Sequence, residues 1–492
     1  MSTALHPLDS LFASSLAALP RAAGEGVAIA LSGGLDSSVL LHLAASWSRA
    51  AHAAPRLYAF HVHHGLSPNA DAWLAHCERE CAALGVMFAS RRITLDVKRS
   101  GTEAAARKQR YAALGEMCRE HGVPLLLTAH HQDDQAETIL LQLLRGSGPA
   151  GLSGMDAANR AAQQAWRADI LLARPLLTAS RADLEAYAGV HGIGHIEDES
   201  NADQRYARNA LRHSVMPQLE RAFAGYQERF ARSARHAQSA QRLLDELAAG
   251  DLRASLRNPA AMSGSDPTMS GSDPDKKRAG DGAGAALASV DAEAGLDLAQ
   301  LRAMSEDRCN NLLRHWLAQR DIRLPSTSWL AEMREQALTA REDANLRVTH
   351  PDCEVRRHRD TLYLVPRHEP LPDDDEHFRW NGETSIAFPQ FGGVLHFELA
   401  VAGQGLDPDW LSQQLLSIAK RKGGERLKPA GNRPTRDLKH HYQSLGIPAW
   451  QRERAITVSI PGQLLYATGI GMDCHKMTLG QSPRIQFRWQ AE

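Results

Sequence analysis

The sequence lacks the features that mark secreted and membrane proteins. Its six cysteines are spread over 492 residues, which argues against a disulfide framework and fits a reducing cytoplasm. No apolar run approaches the length that spans a bilayer, and residues 1–26 contain no basic segment followed by a long apolar core. We therefore predict a cytoplasmic protein with no membrane partner.

The sequence also lacks an overall charge that would indicate a partner. The formal net charge is −1, so any basic surface for a nucleic acid has to be local. With 43% hydrophobic and 23% charged residues the composition is that of an ordinary globular protein. The length predicts about three domains.

One short segment, SGGLDS at 32–37, combines glycine, serine and aspartate directly after an apolar run. The run Val27–Leu31 is typical of a strand buried on both faces, and helical spacing of apolar residues follows from Val39. A strand-to-helix turn of this kind offers backbone N–H groups to an anion, and glycines allow close approach. The segment lacks the lysine of the common phosphate loop, but the carboxylate of Asp36 suits a Mg²⁺ ion beside a polyphosphate.

The string SGGxDS resembles the PP-loop of the ATP pyrophosphatases, which split ATP into AMP and pyrophosphate to activate a substrate as its adenylate. The alternative is that Asp36 and Ser37 only cap the helix while the glycines turn the chain. The resemblance implies that Asp36 holds Mg²⁺. It also implies that ATP is bound by Ser32, Gly33, Gly34, Leu35, Asp36 and Ser37.

Five further segments narrow the resemblance to the tRNA(Ile)-lysidine synthetase family. They are HVHHGL, EAAARKQRY, TAHHQDDQAETILLQLLRGSGPAGLSGM, EDESNADQRYARNALRH and GGERLKPAGNRPTRDLKHHYQSLGIPAWQRERAI. The resemblance implies ATP-dependent ligation of free L-lysine to carbon 2 of the wobble cytidine of tRNA(Ile) with a CAU anticodon. An adenylated tRNA base is the implied intermediate, and AMP and pyrophosphate are released. Oligomeric state is not implied.

The first half alternates apolar strand-like runs with helical patterns, which predicts a doubly wound parallel α/β sheet of the Rossmann-like PP-loop kind. Polar clusters follow the first, second and fourth runs, at the sheet edge where such folds bind ligands. We divide the chain into a catalytic domain at 1–204, a helical linker at 205–250, a low-complexity insertion at 251–295, and two small α/β tRNA-binding modules at 296–366 and 378–492. Within the insertion, 262–286 holds a seven-residue tandem repeat that we interpret as disordered.

The segment HHQDDQAET places Asp133, Asp134 and Glu137 in the first turns of a predicted helix. Pairing of acids with the helix dipole is one explanation. The other is a site for a cation, because crowded carboxylates repel one another unless a positive charge joins them. The family resemblance implies that Asp134 and Glu137 hold the ammonium and backbone amine of lysine. Together with Asp36 they are the predicted catalytic residues, and which carboxylate acts as the base is left open.

Three basic segments are candidates for tRNA contact: EAAARKQRY, RYARNALRH and the region 420–443. Each is also compatible with a solvated surface. The region 420–443 has eight Lys or Arg and two acidic residues, a local charge of +6. The predicted tRNA-binding residues are Arg107, Arg110, Arg205, Arg208, Arg212, Lys428, Arg433, Arg436 and Lys439.

Histidines and cysteines do not form a convincing metal site in the sequence. His61, His63 and His64 lie together, but Cys77 and Cys81 fall inside an amphipathic helical pattern with no second close cysteine pair, so we do not expect zinc. His63 is instead predicted to line the nucleotide pocket. Two other functions remain open: a tRNA thiolation enzyme, for which the usual CxxC is lacking, and a nucleotide-binding regulator without catalysis.

Overall fold

The apolar runs of the N-terminal half form neighbouring strands of one sheet. A computed structural model describes residues 6–20, 25–50, 55–63, 65, 67, 69–93, 102–160, 170–197, 205, 207–257, 294–341, 345–400, 404–479 and 483–491. The strands of the first half are β1 (Val27–Ala30), β2 (Leu57–His63), β3 (Met87–Arg92), β4 (Leu125–Leu127), β5 (Ala158–Arg160) and β6 (Leu171–Ala173). Their order in the sheet is β3-β2-β1-β4-β6-β5.

The helices of this half follow the predicted alternation. They are α1 (Pro7–Ala17), α2 (Leu35–Ala50), α3 (Ala70–Leu84), α4 (Thr102–Glu120), α5 (Gln132–Leu144), α6 (Pro149–Leu152), α7 (Arg181–His191), α8 (Ala207–Ala210), α9 (Met216–Ala222) and α10 (Tyr226–Ser255). A short π-helix, Leu211–Val215, joins α8 to α9. Patterning indicated a helical stretch from Arg205, but it did not indicate this π-helical turn.

The sheet is doubly wound, as predicted. Strands β1 to β4 and β6 pair in parallel, and only β5 pairs antiparallel, at the edge. From β1 the chain moves outward through β2 to β3, and then returns to place β4 on the other side of β1. The carboxyl ends of β1 and β4 therefore border the crevice where such sheets bind ligands.

Apolar packing on both faces holds this sheet in place. One cluster combines the strands with buried residues of α1, α2, α3 and α7, including Phe12, Leu40 and Leu184. The other face packs against α4 through Leu114 and Met117. Strands β5 and β6 were not predicted, because each has only three residues and carries little pattern of its own.

The second half contains smaller antiparallel sheets with short helices. Its strands are β7 (Leu256–Arg257), β8 (Gly295–Asp297), β9 (Arg347–Thr349), β10 (Cys353–His358), β11 (Thr361–Pro366), β12 (Glu376–Phe378), β13 (Ser385–Phe388), β14 (Gly393–Leu399), β15 (Gln404–Gly405), β16 (Leu416–Lys420), β17 (Arg426–Leu427), β18 (Arg436–Asp437), β19 (Ile456–Ile460), β20 (Gln463–Ala467), β21 (Gly471–Met472), β22 (Thr478–Leu479) and β23 (Ile485–Ala491). Its helices are α11 (Leu298–Ala303), α12 (Glu306–Ala318), α13 (Thr327–Thr339), α14 (Pro408–Ser412), α15 (Leu438–Ser444) and α16 (Ala449–Glu453), with a 3₁₀ turn at Pro389–Phe391.

Two cores support these sheets. Trp316 and Met333 of α12 and α13 pack on the sheet β7-β8-β11-β10-β9, and Phe397 and Ile418 belong to a second cluster. The strands predicted from GVLHFELAVA and AITVSI are present as β14 and β19.

Contacts divide the chain into two units, Met1–Leu247 and Ala248–Glu492. The finer division into five segments stays a prediction, and the repeat at 262–286 lies outside the described residues. Within the part of the chain that the structure describes, no helix is long and apolar enough to cross a membrane.

Candidate active site

The loop between β1 and α2 is held in shape by the hydroxyl of Ser37. The backbone N–H groups of Ser32 and Gly33 donate to Ser37 Oγ, each at 3.2 Å, and Ser37 Oγ donates to the carbonyl of Gly34 at 3.0 Å. The side chain of Ser37 is buried, and Leu35 is buried at the start of α2. The serine of this motif therefore preorganises the loop from within.

Gly33 is required by its own backbone conformation and by the packing beneath the loop. Its φ is +89°, in the region that favours glycine. A Cβ at this position would lie 2.9 Å from Ile196 Cδ1 and 3.0 Å from Cys77 Sγ. The Ile196 N–H also donates to the Gly33 carbonyl at 2.9 Å, so Ile196 packs over the loop.

A buried histidine joins the loop to the acidic start of α5. His131 is only 1% exposed, and its Nε2 lies 3.7 Å from Asp36 Oδ2 and 3.4 Å from Asp134 Oδ2. Its Nδ1 lies 3.5 Å from Asp133 Oδ2. Burial opposes a charge on this imidazole, but the surrounding carboxylates outweigh burial and raise the pKa of His131 to about 10. The imidazolium is the cation that lets three carboxylates share one site.

The carboxylates respond in the opposite direction. Burial disfavours the charge on Asp133, yet His131 and the backbone N–H of Arg181, which donates at 3.0 Å, lower the pKa of Asp133 to about 2. The pKa of Asp134 is also lowered, because nearby positive charges, His131 foremost among the side chains, outweigh its burial. Both acids are therefore ionised at neutral pH.

Two arginines that the sequence pattern had indicated only for tRNA pair with Glu137, and one of them, Arg212, also reaches Asp134. Glu137 is 2% exposed, and its two oxygens accept from Arg208 Nε at 3.1 Å and from Arg212 Nε at 2.7 Å. Arg212 Nη2 lies 3.3 Å from Asp134 Oδ1, and Arg208 Nη2 donates to Thr138 Oγ1 at 2.8 Å. The predicted lysine-binding acids and two of the predicted tRNA-binding arginines thus form one network.

Arg205 does not share the helix of these two arginines. It is exposed in the turn before α8, whereas Arg208 lies in α8 and Arg212 in the π-helix that follows. The helical linker was predicted from residue 205, whereas α8 begins at Ala207. π-Helical turns frequently occur at functional sites.

Other predicted residues surround this centre. His63 ends β2, and its buried Nε2 lies 3.3 Å from Asp71 Oδ1. Arg107 in α4 donates to Tyr111 Oη at 3.3 Å, and Arg110 is exposed on the same helix. His64 lies outside the described residues.

Several cations of the basic region 420–443 pair with acidic residues inside the region or near it. Lys420 pairs with Asp373, and Lys422 Nζ lies 2.6 Å from Asp375 Oδ1. Arg426 Nε lies 3.7 Å from Asp437 Oδ1. Lys428, Arg433 and Lys439 form no ion pair with any residue that the structure describes. Arg436 is also exposed and hydrogen-bonds His440.

Sequence reasoning missed the role of His131 and the contribution of Arg181, whose Nη1 lies 3.6 Å from Asp36 Oδ1. A histidine directly before an acid-rich helical turn was a signal for the first. No sequence signal marked Arg181, which reaches the site from α7. Across the described ranges, no group of three or more His, Cys, Asp or Glu side chains has an arrangement that could hold a metal by itself.

The loop between β1 and α2, together with the acidic cluster beside it, defines an ATP-binding protein of the PP-loop class. Residues 8–219 match the family model of the PP-loop domain. Residues 296–363 match the TilS substrate binding domain, and residues 416–489 match the TilS substrate C-terminal domain.

Three relatives share nearly the full length. Each bears the name tRNA(Ile)-lysidine synthase. The protein of Burkholderia pseudomallei is 40% identical over 491 residues, covering 93% of this chain and 91% of the relative. That of Ralstonia nicotianae is 40% identical over 94% of this chain and 92% of its own. That of Nitrosomonas europaea is 34% identical over 95% of this chain and 92% of the relative. The chain belongs to the tRNA(Ile)-lysidine synthase family.

The geometry of the loop predicts that Gly33→Ala destabilises the protein and that Gly34→Ala does not. The first change adds a Cβ at a positive φ and against Ile196 and Cys77, at a cost of about 2–4 kcal/mol. The second adds a Cβ whose nearest neighbour is Ser32 Oγ at 3.6 Å, an ordinary contact. Chemical denaturation of both variants measures the difference, and equal stabilities would contradict the packing argument.

Proposed function

We propose that this chain ligates lysine to carbon 2 of the wobble cytidine of tRNA(Ile) with a CAU anticodon, forming lysidine at the expense of ATP. The observation that carries the proposal is the juxtaposition of the PP-loop with a carboxylate–histidine–arginine cluster at the switch point between β1 and β4. Family membership over nearly the whole chain supports it.

The first step proposed is attack of the cytosine O2 atom on the α-phosphate of ATP, with pyrophosphate leaving. Leu35 and Asp36 begin α2, where backbone N–H groups have no acceptor within the helix. These groups and the helix dipole stabilise the negative charge that develops on the phosphates. Ser32, Gly33 and Gly34 shape the cradle, and Ser37 keeps it in the conformation described above.

Asp36 fits a magnesium ligand. Its Oδ1 atom is buried and accepts no hydrogen bond from any described residue, although Arg181 Nη1 lies 3.6 Å away, and a carboxylate oxygen is the donor that Mg²⁺ prefers. When bound, Mg²⁺ would neutralise charge on the phosphates. Asp36 would hold the ion, while His131 lies 3.7 Å from the other carboxylate oxygen.

In the second step the side-chain amine of lysine attacks carbon 2 of the adenylated base, and AMP leaves. Asp134 and Glu137 are the candidates for holding the cationic groups of lysine. Each carboxylate oxygen has more than one lone pair, so an ammonium can share these acids with Arg208 and Arg212. The amine must lose a proton before attack, and a neighbouring carboxylate is a suitable acceptor.

tRNA is proposed to contact Arg107, Arg110, Arg205, Arg208 and Arg212 near this site. In the second unit the proposed contacts are Lys428, Arg433, Arg436 and Lys439. The described residues give Lys428, Arg433 and Lys439 no acidic partner, which leaves their charge available for phosphates.

Pyrophosphate release measured with and without L-lysine and a CAU-anticodon tRNA transcript tests the proposed reaction. Release should require the tRNA, and AMP formation with lysine attached to the RNA should require lysine. Asp36→Asn should lower the rate by about 10²–10³-fold while the fold is retained, because charge stabilisation at the phosphates is removed. Sulfur incorporation, or turnover without RNA, would contradict the assignment.

Glu137→Gln should raise the KM for lysine more than the KM for ATP, because Glu137 lies on α5 and the ATP loop lies between β1 and α2. The matched control is Glu120→Gln, an exposed acid that pairs with Arg91. The control should leave both constants near the wild-type values. Equal increases in the two KM values for Glu137→Gln would assign the cluster to the metal and the phosphates instead.

Replacing Lys428, Arg433 and Lys439 by Ala should weaken tRNA binding and flatten its dependence on salt. The slope should fall by about one unit for each RNA phosphate that the variant no longer neutralises. Lys420 and Lys422, each paired with an acid, provide the control double variant, whose slope should change little. tRNA affinity at two salt concentrations measures both. An unchanged slope with abolished turnover would place this region in the chemistry.

A further inference from the structure

A buried arginine lies at the same sheet edge as the loop but one strand beyond β4. Arg174 directly follows β6, and the N–H of Thr128, directly after β4, donates to the carbonyl of Ala173 at 3.0 Å. Arg174 is only 4% exposed. Neighbouring strands are about 4.8 Å apart, so Arg174 is roughly 10 Å from the strand that carries the PP-loop.

The partners of this guanidinium are neutral. Arg174 Nη1 donates to the carbonyl of Asp156 at 2.7 Å and to Asn159 Oδ1 at 3.2 Å. Its Nε is buried and has no hydrogen-bond partner among the described residues. Arg174 forms no ion pair with a carboxylate in the same ranges, although the charge of Asp156 acts on it without direct contact. Taking a guanidinium out of water without a directly bound anion is costly, so a purely structural role explains the position poorly.

A second guanidinium reaches this region from α4. Arg107 Nη2 donates to Tyr111 Oη at 3.3 Å, and its guanidinium carbon is 4.9 Å from the centroid of the Tyr111 ring, which packs in one buried cluster with Leu172 of β6. Burial lowers the pKa of Arg174 and the charge of Arg107 acts in the same direction, whereas Tyr111 and Asp156 act against it. Among the described residues Arg107 has no carboxylate partner either.

The neighbouring His130 adds no charge to the region around the two guanidiniums. Its Nδ1 is 2.9 Å from Thr128 Oγ1, and burial, together with the charges of Arg174 and Arg107, lowers the pKa of His130 to about 3 despite Asp134. The imidazole is therefore neutral at physiological pH. Two guanidiniums and a neutral imidazole beside the single carboxylate of Asp156 leave a local excess of positive charge.

We propose that Arg174 and Arg107 form a phosphate subsite separate from the PP-loop. The inference rests on the proposed function, which brings two phosphate-bearing substrates to this edge. The shared ligand chemistry is a phosphate ester, carried either by the adenylate part of ATP or by the RNA backbone beside the target nucleotide. Guanidinium N–H groups match phosphate oxygens in a planar, two-point arrangement, and the unpartnered Nε supplies one such donor.

The test measures the affinity of the full chain for AMP, ATP and a CAU-anticodon tRNA transcript at two salt concentrations. Arg174→Gln and Arg107→Gln should each weaken binding of the same ligand by about tenfold, because each removes a charge-assisted hydrogen bond to phosphate. Arg174→Lys should fall between them and the wild type, since it keeps the charge and removes the planar fork. Weaker binding of AMP and ATP identifies the adenylate, and weaker binding of tRNA with a flatter salt slope identifies the RNA backbone.

One control variant separates binding from structure. Arg119→Gln removes an exposed cation from the same helix as Arg107 and should keep the affinities within about twofold. If Arg174→Gln fails to fold, Arg174→Lys and Arg107→Gln carry the test. Unchanged affinities in these two variants would overturn the subsite.

tRNA-dependent pyrophosphate release and lysine-dependent AMP formation by the wild-type preparation are measured in parallel. A wild type that makes lysidine while the arginine variants bind normally refutes the subsite alone. A wild type that makes no lysidine refutes the proposed reaction, and the AMP and RNA affinities still report on the subsite.

Discussion

The contact of one buried imidazolium with three carboxylates is the interaction on which the site depends. His131 joins Asp36, from the loop after β1, to Asp133 and Asp134 at the start of α5. Three acids at this spacing would repel one another without a cation between them. The histidine thereby links the loop to α5, and it lowers the pKa of Asp133 and Asp134 where a cationic substrate or ion is expected.

A second charge network extends this arrangement and joins two functions that patterning had separated. Arg208 and Arg212 neutralise Glu137 and Asp134, although the spacing of the arginines suggested a surface for phosphates. The pairing explains how Glu137 can be almost fully buried and charged, because removing a carboxylate from water requires such partners. A change to any member of this network is therefore expected to affect its neighbours.

The carboxyl edge of the first sheet carries its charges in two groups. Between β1 and β4 the carboxylates are paired with His131, Arg181, Arg208 and Arg212, whereas beyond β4 Arg174 and Arg107 form no ion pair with a carboxylate of the described residues. Unpaired positive charge beyond β4 would attract an anionic group of a substrate. The doubly wound topology creates the edge, and side chains from α4, α5 and α7 give it its charge.

Sequence by itself determined the parallel sheet, the loop and the acidic first turn of α5, because apolar periodicity and local glycine chemistry are properties of adjacent residues. Even the requirement for Gly33 had a local part, a positive φ, although its contacts with Ile196 and Cys77 could not be read from the chain. Tertiary structure alone decided which charges meet. His131, Arg181, Arg208 and Arg174 come from four different segments, and ion pairing depends on distances in space that spacing along the chain does not encode.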